Sequence, residues 1–382
     1  MTIDAPRLLA FCDAERDWLV STIEALVRRE SPTDDKAAVD RCGSELATRL
    51  TQIGGELKEI TSTSAGNHLR ASFGRGSRRL LLLGHFDTVW PVGEIDRMPF
   101  AIDGDRLKGP GVLDMKSGIA LGMLATRALF ELAAPSDVQV VMLWTTDEET
   151  GSVTSRALVE TEARQSEAVL VLEPALPGGT LKTARKGCGE FELVVHGVAA
   201  HAGVDPDKGV SAIRELARQI LAVETLQDPR QGVTVNVGIV HGGSRTNVVP
   251  AEAQAVVDVR AATLADAENV NRLFRKLSPH LPGARLEVRG GFNRPPMERT
   301  PGVARLFEIA QDVGVTLGQT VTEGATGGGS DGNFTAAVGV PTLDGLGAIG
   351  DGAHASHEHV LIPLLAPRAA LIAGVLQRLA QS

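Results

Sequence analysis

Three short, nearly unbroken apolar runs constrain this chain more than anything else in it: LLLL at 80–83, VQVVMLW at 138–144 and AVLVL at 168–172. A strand that is apolar on both faces must be covered on both faces, which a largely parallel sheet with helices above and below provides. The intervening sequence supplies those helices. Trp18, Leu19, Ile23, Leu26 and Val27 recur at helical spacing, residues 36–53 keep the same period, and helices are expected from about Met115 to Leu132 and over 152–164. Ligands of such α/β layers collect at the carboxyl ends of the strands. His85 and Asp87 follow the first run, two residues apart, so an extended chain points both to the same side. Glu148 and Glu149 follow the second run, Glu173 closes the third, and Asp114 sits in GPGVLDMKSG, where a tight loop opens a helix.

Near residue 186 the pattern changes. GEFELVVHG and QAVVDVR alternate apolar and polar residues, as strands covered on one face do. The expected order is strand 189–196, helix 209–226, strands 233–240 and 252–260, helix 264–279 and strand 284–290, the β-α-β-β-α-β order of a ferredoxin-like unit. NRPPM makes a proline-rich exit at 293–297, and a helix from about Gly302 restores the first style. The expected organisation is therefore an α/β catalytic domain in two segments, 1–185 and 296–382, interrupted by an α+β domain at 186–295.

Composition narrows the function. A net charge of −9 argues against a nucleic-acid footprint or an anionic membrane surface. The opening MTIDAPRLLAFCDAERDWLV lacks the basic start and apolar core of a secretory signal, and no apolar run approaches bilayer-spanning length, so a soluble, cytoplasmic protein is expected. Cys12, Cys42 and Cys188 form neither a CxxC pair nor a disulfide framework; they read as small buried thiols, which leaves histidines and carboxylates to hold any metal. The absence of tyrosine removes one acid or oxyanion donor from any mechanism.

Taken singly, the acids admit ordinary readings: Asp114 as a helix N-cap, Glu149 as a solvated loop charge. Five acids and a histidine at successive exits of one sheet point instead to a shared cation, because clustered carboxylates need compensation where water is excluded. Imidazole and carboxylate without thiolate suit zinc, with cobalt or manganese also compatible.

The motifs GHFDTVWPVG, GPGVLDMKSG, TTDEETGS, VLEPA, AAHAG, TGGGSDG and GAHASHEHV, in this order from about residue 80 to 360, resemble those of the co-catalytic zinc aminoacylase and carboxypeptidase family. Within it they are most similar to the carboxypeptidase G-type glutamate carboxypeptidases. The resemblance implies a zinc-exopeptidase-like catalytic domain, with the inserted domain as lid and dimerisation surface of a homodimer. It implies two Zn2+ per subunit, one held by His85, Asp114 and Glu173 and the other by Asp114, Glu149 and His354. Asp87 would orient His85, and Glu148 would be the general base, passing a proton from the attacking water to the leaving amine. The final ligand lies in GAHASHEHV, which offers His354, His357 and His359; Glu358 and Val360 fit the family pattern that puts it at His354, whereas His357 stands where relatives often carry an acid.

In the inserted domain, His201 of AAHAG resembles the histidine that reaches the partner subunit's site and stabilises the oxyanion; a polar loop residue is its ordinary reading. Asn247 and Arg260 resemble contacts to the substrate carboxylate, although Arg260 reads equally as a surface salt-bridge residue. The glycines of GGGSDG (327–332) suit close backbone approach to substrate, since no phosphate-loop pattern surrounds them. The implied substrate is a small N-acyl or peptidyl amino acid, glutamate first. Glu173 speaks against the aminopeptidase and dipeptidase branch, which tends to carry aspartate there. Deacylation of acetylornithine or succinyl-diaminopimelate type remains open, and so does a non-catalytic binding protein of the same fold.

Overall fold

The structure is a computed structural model that describes residues 5–133 and 135–381. The chain forms two compact units. The first comprises 1–184, 299–325 and 330–382; the second comprises 185–298 together with 326–329.

The first unit is built on a six-stranded mixed sheet. Its spatial order is Glu56–Ile60, His68–Phe73, Val138–Thr145, Arg78–His85, Ala168–Val171 and Thr342–Leu343. The four strands from Val138–Thr145 onward pair in parallel, and the two at the far edge are antiparallel. The three apolar runs are thus the adjacent central strands. Strand parity distributes their side chains to both faces. Leu80, Leu82, Val140, Met142 and Leu170 enter one core, beneath the helices Ser117–Leu132 and Leu365–Gln381. Leu81, Leu83, Val141, Leu143 and Val169 enter the other, with Val159 and Ala163 of the helix Arg156–Arg164 and Phe334 of Gly332–Ala337. From Arg78–His85 the chain crosses to a neighbour on one side, then to Ala168–Val171 on the other. This reversal opens a crevice at the carboxyl end of Arg78–His85.

Several boundaries differ from the sequence reading for local reasons. The helix expected from Met115 begins at Ser117, because Asp114 (φ −114°, ψ 94°) and Met115 (φ −135°, ψ 36°) are not helical. The helix expected from 152 begins at Arg156, after Ser152 takes a left-handed turn (φ 59°). A small sheet of Gly350–Asp351, His359–Leu361, Arg106–Lys108 and Ala101–Asp103 has strands too short to leave a periodicity. One expectation needs correcting: the segment Ile362–Gln381 is apolar and long enough, by composition, to cross a bilayer. It lies 72% buried and contributes Leu371, Ile372, Val375 and Leu376 to the core, which is why it is apolar.

The second unit is a four-stranded antiparallel sheet in the order Thr234–Gly242, Glu252–Ala261, Gly187–His196, Arg285–Arg294. With the helices Ala212–Glu224 and Leu264–Arg275 it has the ferredoxin-like order β-α-β-β-α-β. Phe191, Leu193 and Val195 of its inner strand are fully buried, and Phe191 stacks on Phe274 with ring centroids 3.9 Å apart. Residues 326–329 belong here because Lys186 N–H donates to the Thr326 carbonyl (3.0 Å) and Arg185 to those of Gly328 and Gly329 (3.1 and 2.9 Å).

The packing beneath Glu173 makes a sharp prediction. A Cβ added to Gly118 would lie 2.0 Å from the Leu172 carbonyl oxygen, a backbone atom one residue from Glu173. Glycine to alanine inside a helix ordinarily stabilises by about 1 kcal/mol. Here the sign reverses: Gly118→Ala is expected to cost about 1–3 kcal/mol through overpacking, measured by urea unfolding. A stabilised variant would refute this packing.

Candidate metal centre

Four elements of the first unit converge in the crevice. His85 ends its strand, fully buried; Asp114 comes from the loop before the helix Ser117–Leu132; Glu149 lies on the turn Glu148–Thr150 after the second apolar strand; Glu173 follows the third. His354 arrives from the loop between the short strands Gly350–Asp351 and His359–Leu361, with a left-handed backbone (φ 60°) that non-glycine residues adopt only when their surroundings impose it.

The contacts form two triads that share one carboxylate. His85 Nε2 lies 3.3 Å from Asp114 Oδ1 and 3.4 Å from Glu173 Oε1. His354 Nε2 lies 3.4 Å from Asp114 Oδ2 and 3.3 Å from Glu149 Oε2. These four separations are longer than charge-assisted hydrogen bonds, which run at about 2.7–2.9 Å. They match the span of about 3.3 Å between two ligand atoms that sit about 2.05 Å from one tetrahedral ion. Two buried oxygens here, Asp114 Oδ1 and Glu149 Oε1, have no hydrogen-bond partner, which a native fold tolerates where a cation takes the contact. Glu148 also belongs to the cluster: ligand atoms of His85, Glu148 and Glu173 lie within 4.8 Å of one another, as do those of His85, Asp114 and Glu149. The donor set and its spacing fit a centre for divalent ions, with Asp114 a member of both triads.

Electrostatics carries the same signature. Burial works against a charged His85, but the carboxylates of Asp114, Asp87 and Glu173 outweigh it and hold the imidazole well above its ordinary range. Asp114 and Glu149 push His354 up to about 10. The Asp114 carboxyl is driven below its usual range by the two imidazoles, against the effect of burial. Burial raises that of Glu149, whose side chain is only 8% exposed and is no solvated loop charge. Nor does Asp114 cap the following helix, whose N-terminus has no side-chain cap. The same carboxylates that favour a proton on each imidazole would favour a cation beside it.

Asp87 is fully buried behind His85. Its Oδ1 lies 3.3 Å and its carbonyl oxygen 3.1 Å from His85 Nδ1, leaving Nε2 to face Asp114 and Glu173. Asp87 Oδ2 accepts from the Thr33 hydroxyl (2.7 Å) and from the Glu149 N–H (3.3 Å), linking the first strand exit to the second. Thr33 carries no signal in the sequence, because its partner is 54 residues away. His357 is exposed, and its carbonyl lies 2.9 Å from His359 Nδ1; among the three histidines of GAHASHEHV it is His354 that meets Asp114 and Glu149.

The remaining candidates belong to the second unit. His201 and Asn247 are exposed and share a local pairing: the Ala202 N–H donates to the Asn247 carbonyl (3.0 Å), and His201 bridges Val248. His201 Nδ1 accepts from the Gly203 N–H at 3.2 Å. Arg260 is occupied on both sides of its fork by Asp258, two residues back on the same strand (2.9 and 2.7 Å). Gly327 and Gly328 are open, with nothing within 4 Å of an added Cβ. In the first unit, the Ser330 hydroxyl donates to Asp344 (2.7 Å) and Asp331 accepts from Thr145 (3.0 Å), so both side chains have structural partners.

The chain is similar to known proteins over most of its length. Residues 81–378 match the description Peptidase family M20/M25/M40. The chain is 31% identical over 378 residues to carboxypeptidase G2 of Pseudomonas sp. (strain RS-16), covering 96% of this chain and 90% of that protein. It is 27% identical over 379 residues to a succinyl-diaminopimelate desuccinylase of Burkholderia lata, covering 93% and 97% of the two. Among solved structures, the aminopeptidase PepT of Bacillus cereus shares the fold with a TM-score of 0.77 at 24% identity, over 96% of this chain and 99% of that one. The protein belongs to peptidase family M20/M25/M40.

Proposed function

We propose that the protein is a hydrolase that uses two divalent ions, zinc by donor chemistry, to cleave the amide bond to a terminal amino acid bearing a free carboxylate. Glutamate is the first candidate for the released amino acid, from the likeness of the motifs to glutamate carboxypeptidases. The observation that carries this reading is the pair of imidazole–carboxylate triads sharing Asp114. His85, Asp114 and Glu173 would hold one ion, and Asp114, Glu149 and His354 the other. Such a pair, when bound, polarises the scissile carbonyl and acidifies water. Asp87 keeps the proton of His85 on Nδ1, so that Nε2 presents its lone pair to the ion. Glu148 takes the proton from the attacking water and returns it to the departing amine.

His201 of a second subunit donates to the developing oxyanion, which makes a homodimer the working form. The edge strand Thr234–Gly242, with Ile239 and Val240 exposed, supports such pairing, since an uncovered apolar edge is a template for another strand. Asn247 and Arg260 receive the substrate carboxylate, which displaces Asp258 from the guanidinium fork. Three unpaired cysteines support a cytoplasmic location. A second reading, hydrolysis of an N-acyl group from an amino acid, is favoured by the desuccinylase relative. A screen of the zinc-loaded protein against peptidyl and N-acyl glutamates, aspartates and diamino acids separates the two. Strict preference for substrates with an unblocked N-terminal amine would overturn both.

Three outcomes test the mechanism. Glu148→Ala is expected to lower kcat by about 10²- to 10⁴-fold while the protein still binds two ions per chain by elemental analysis. Near-normal turnover would remove Glu148 from its role. Because the surrounding carboxylates raise the proton affinity of both His85 and His354, the latter to about 10, ligation competes with protons for both imidazoles. Calorimetric titration at pH 7.5 in buffers of different ionisation enthalpy should therefore report proton release on ion binding, with affinity rising as pH rises. No proton release would contradict the ligand set. Finally, mixing inactive Glu148→Ala and His201→Ala chains should restore activity, since a hybrid dimer pairs an intact Glu148 with the partner's intact His201. Mixtures that stay inactive despite subunit exchange would confine catalysis to one chain.

A further inference from the structure

Glu358 is 1% exposed, yet it sits in a loop between two histidines of GAHASHEHV. Its carboxylate accepts four hydrogen bonds. Oε1 takes the backbone N–H of Leu113 (2.8 Å) and of Asp114 itself (3.1 Å). Oε2 takes the backbone N–H of Gly111 (3.0 Å) and the indole N–H of Trp90 (2.8 Å). One side chain thereby joins three separate ligand-bearing segments: the exit of the His85 strand through Trp90, the Asp114 loop through three amides, and the His354 loop from which it projects. The His354 loop has little else to fix it, being tethered by strands of two and three residues and holding His354 in a left-handed backbone. The Asp114 loop is likewise irregular, so its amides have no helical partners.

We infer that Glu358 is the positioning residue that assembles the two-ion centre, fixing the bridging Asp114 and the His354 loop in one frame before metal arrives. It touches neither substrate nor ion in this role. The inference rests on the two-metal reading above. Glutamine at 358 is the discriminating change, because its amide nitrogen cannot accept a hydrogen bond, so whichever way it turns, two of the four donors lose their acceptor.

The test is titration of metal-free wild type and Glu358→Gln with Co2+, followed by the visible ligand-field absorption of the bound ion, at a temperature where circular dichroism shows both folded. Wild type should take two ions. In the variant the ion at the His354 site should bind about 10- to 100-fold more weakly, with an altered spectrum, and the rise in Tm on adding Co2+ should shrink. A residue that only stabilises the fold would lower the Tm of metal-free and loaded protein alike. Equal affinities and an equal metal-induced shift in Tm would overturn the inference. Fewer than two ions on the wild type would instead overturn the two-metal reading. Should Glu358→Gln not fold, Trp90→Phe removes the indole donor alone: a smaller weakening at the same site supports the role, and wild-type affinity refutes it.

Discussion

Crowding carboxylates into one partly buried crevice is costly, and most other features of this site follow from how that cost is met. Asp87, Asp114, Glu148, Glu149 and Glu173 gather around two imidazoles. Even with both imidazoles protonated, the carboxylates outnumber them. The raised proton affinity of His85 and His354 expresses this imbalance. Asp114 is the pivot, because each of its oxygens faces a different histidine. A carboxylate used on both sides has no tolerance for rotation, which is why its surroundings are so heavily constrained.

Those constraints come from backbone, and they differ in strength from ligand to ligand. His85 and Glu173 stand at the ends of adjacent strands in parallel register, fixed by Leu80–Leu83 pairing with Ala168–Val171. Glu149 is tied in by the N–H that it gives to Asp87. Asp114 and His354 have no such support from regular structure. The first lies on irregular backbone, the second on a loop between minimal strands, so side-chain hydrogen bonds must do there what a sheet does elsewhere. That division explains why a buried, fully engaged Glu358 appears on this side of the site and not beside Glu173.

The same division sets what could be read from sequence. Continuous apolar runs identify buried central strands because each residue's environment is imposed by the sheet, and the acids that end them are placed by the strands themselves. The α/β layer, the ferredoxin-like order of the second unit, and the positions of His85, Asp87, Glu149 and Glu173 at strand exits were legible on that basis. Asp114 was legible only as an acid in a tight loop that opens a helix, and His354 was not legible from periodicity; the likeness of GPGVLDMKSG and GAHASHEHV to family motifs gave both their places as ligands. Thr33 and the tie made by Glu358 were invisible for another reason. Each acts through partners 54 to 268 residues distant, and nothing local distinguishes a buried acceptor from a surface one. The two-residue strand Gly350–Asp351 is likewise too short for any pattern to show.

Chemistry and recognition are also written in different parts of the chain. All the candidate metal ligands and Glu148 come from the first unit, whereas His201, Asn247 and Arg260 come from the second. Arg260 already has a bidentate carboxylate partner in Asp258, and its remaining amino group meets Cys188 Sγ, so on the proposed reading a substrate carboxylate takes the fork by displacing Asp258. Exchanging one carboxylate for another yields little net affinity, since the fork makes the same two bonds before and after. It does discriminate by shape and charge, because a ligand without a planar anion would leave Asp258 in place. On the proposed reading, such a site would select for a free carboxylate without binding it tightly. On that reading, the identity of the attached side chain would be decided by other residues.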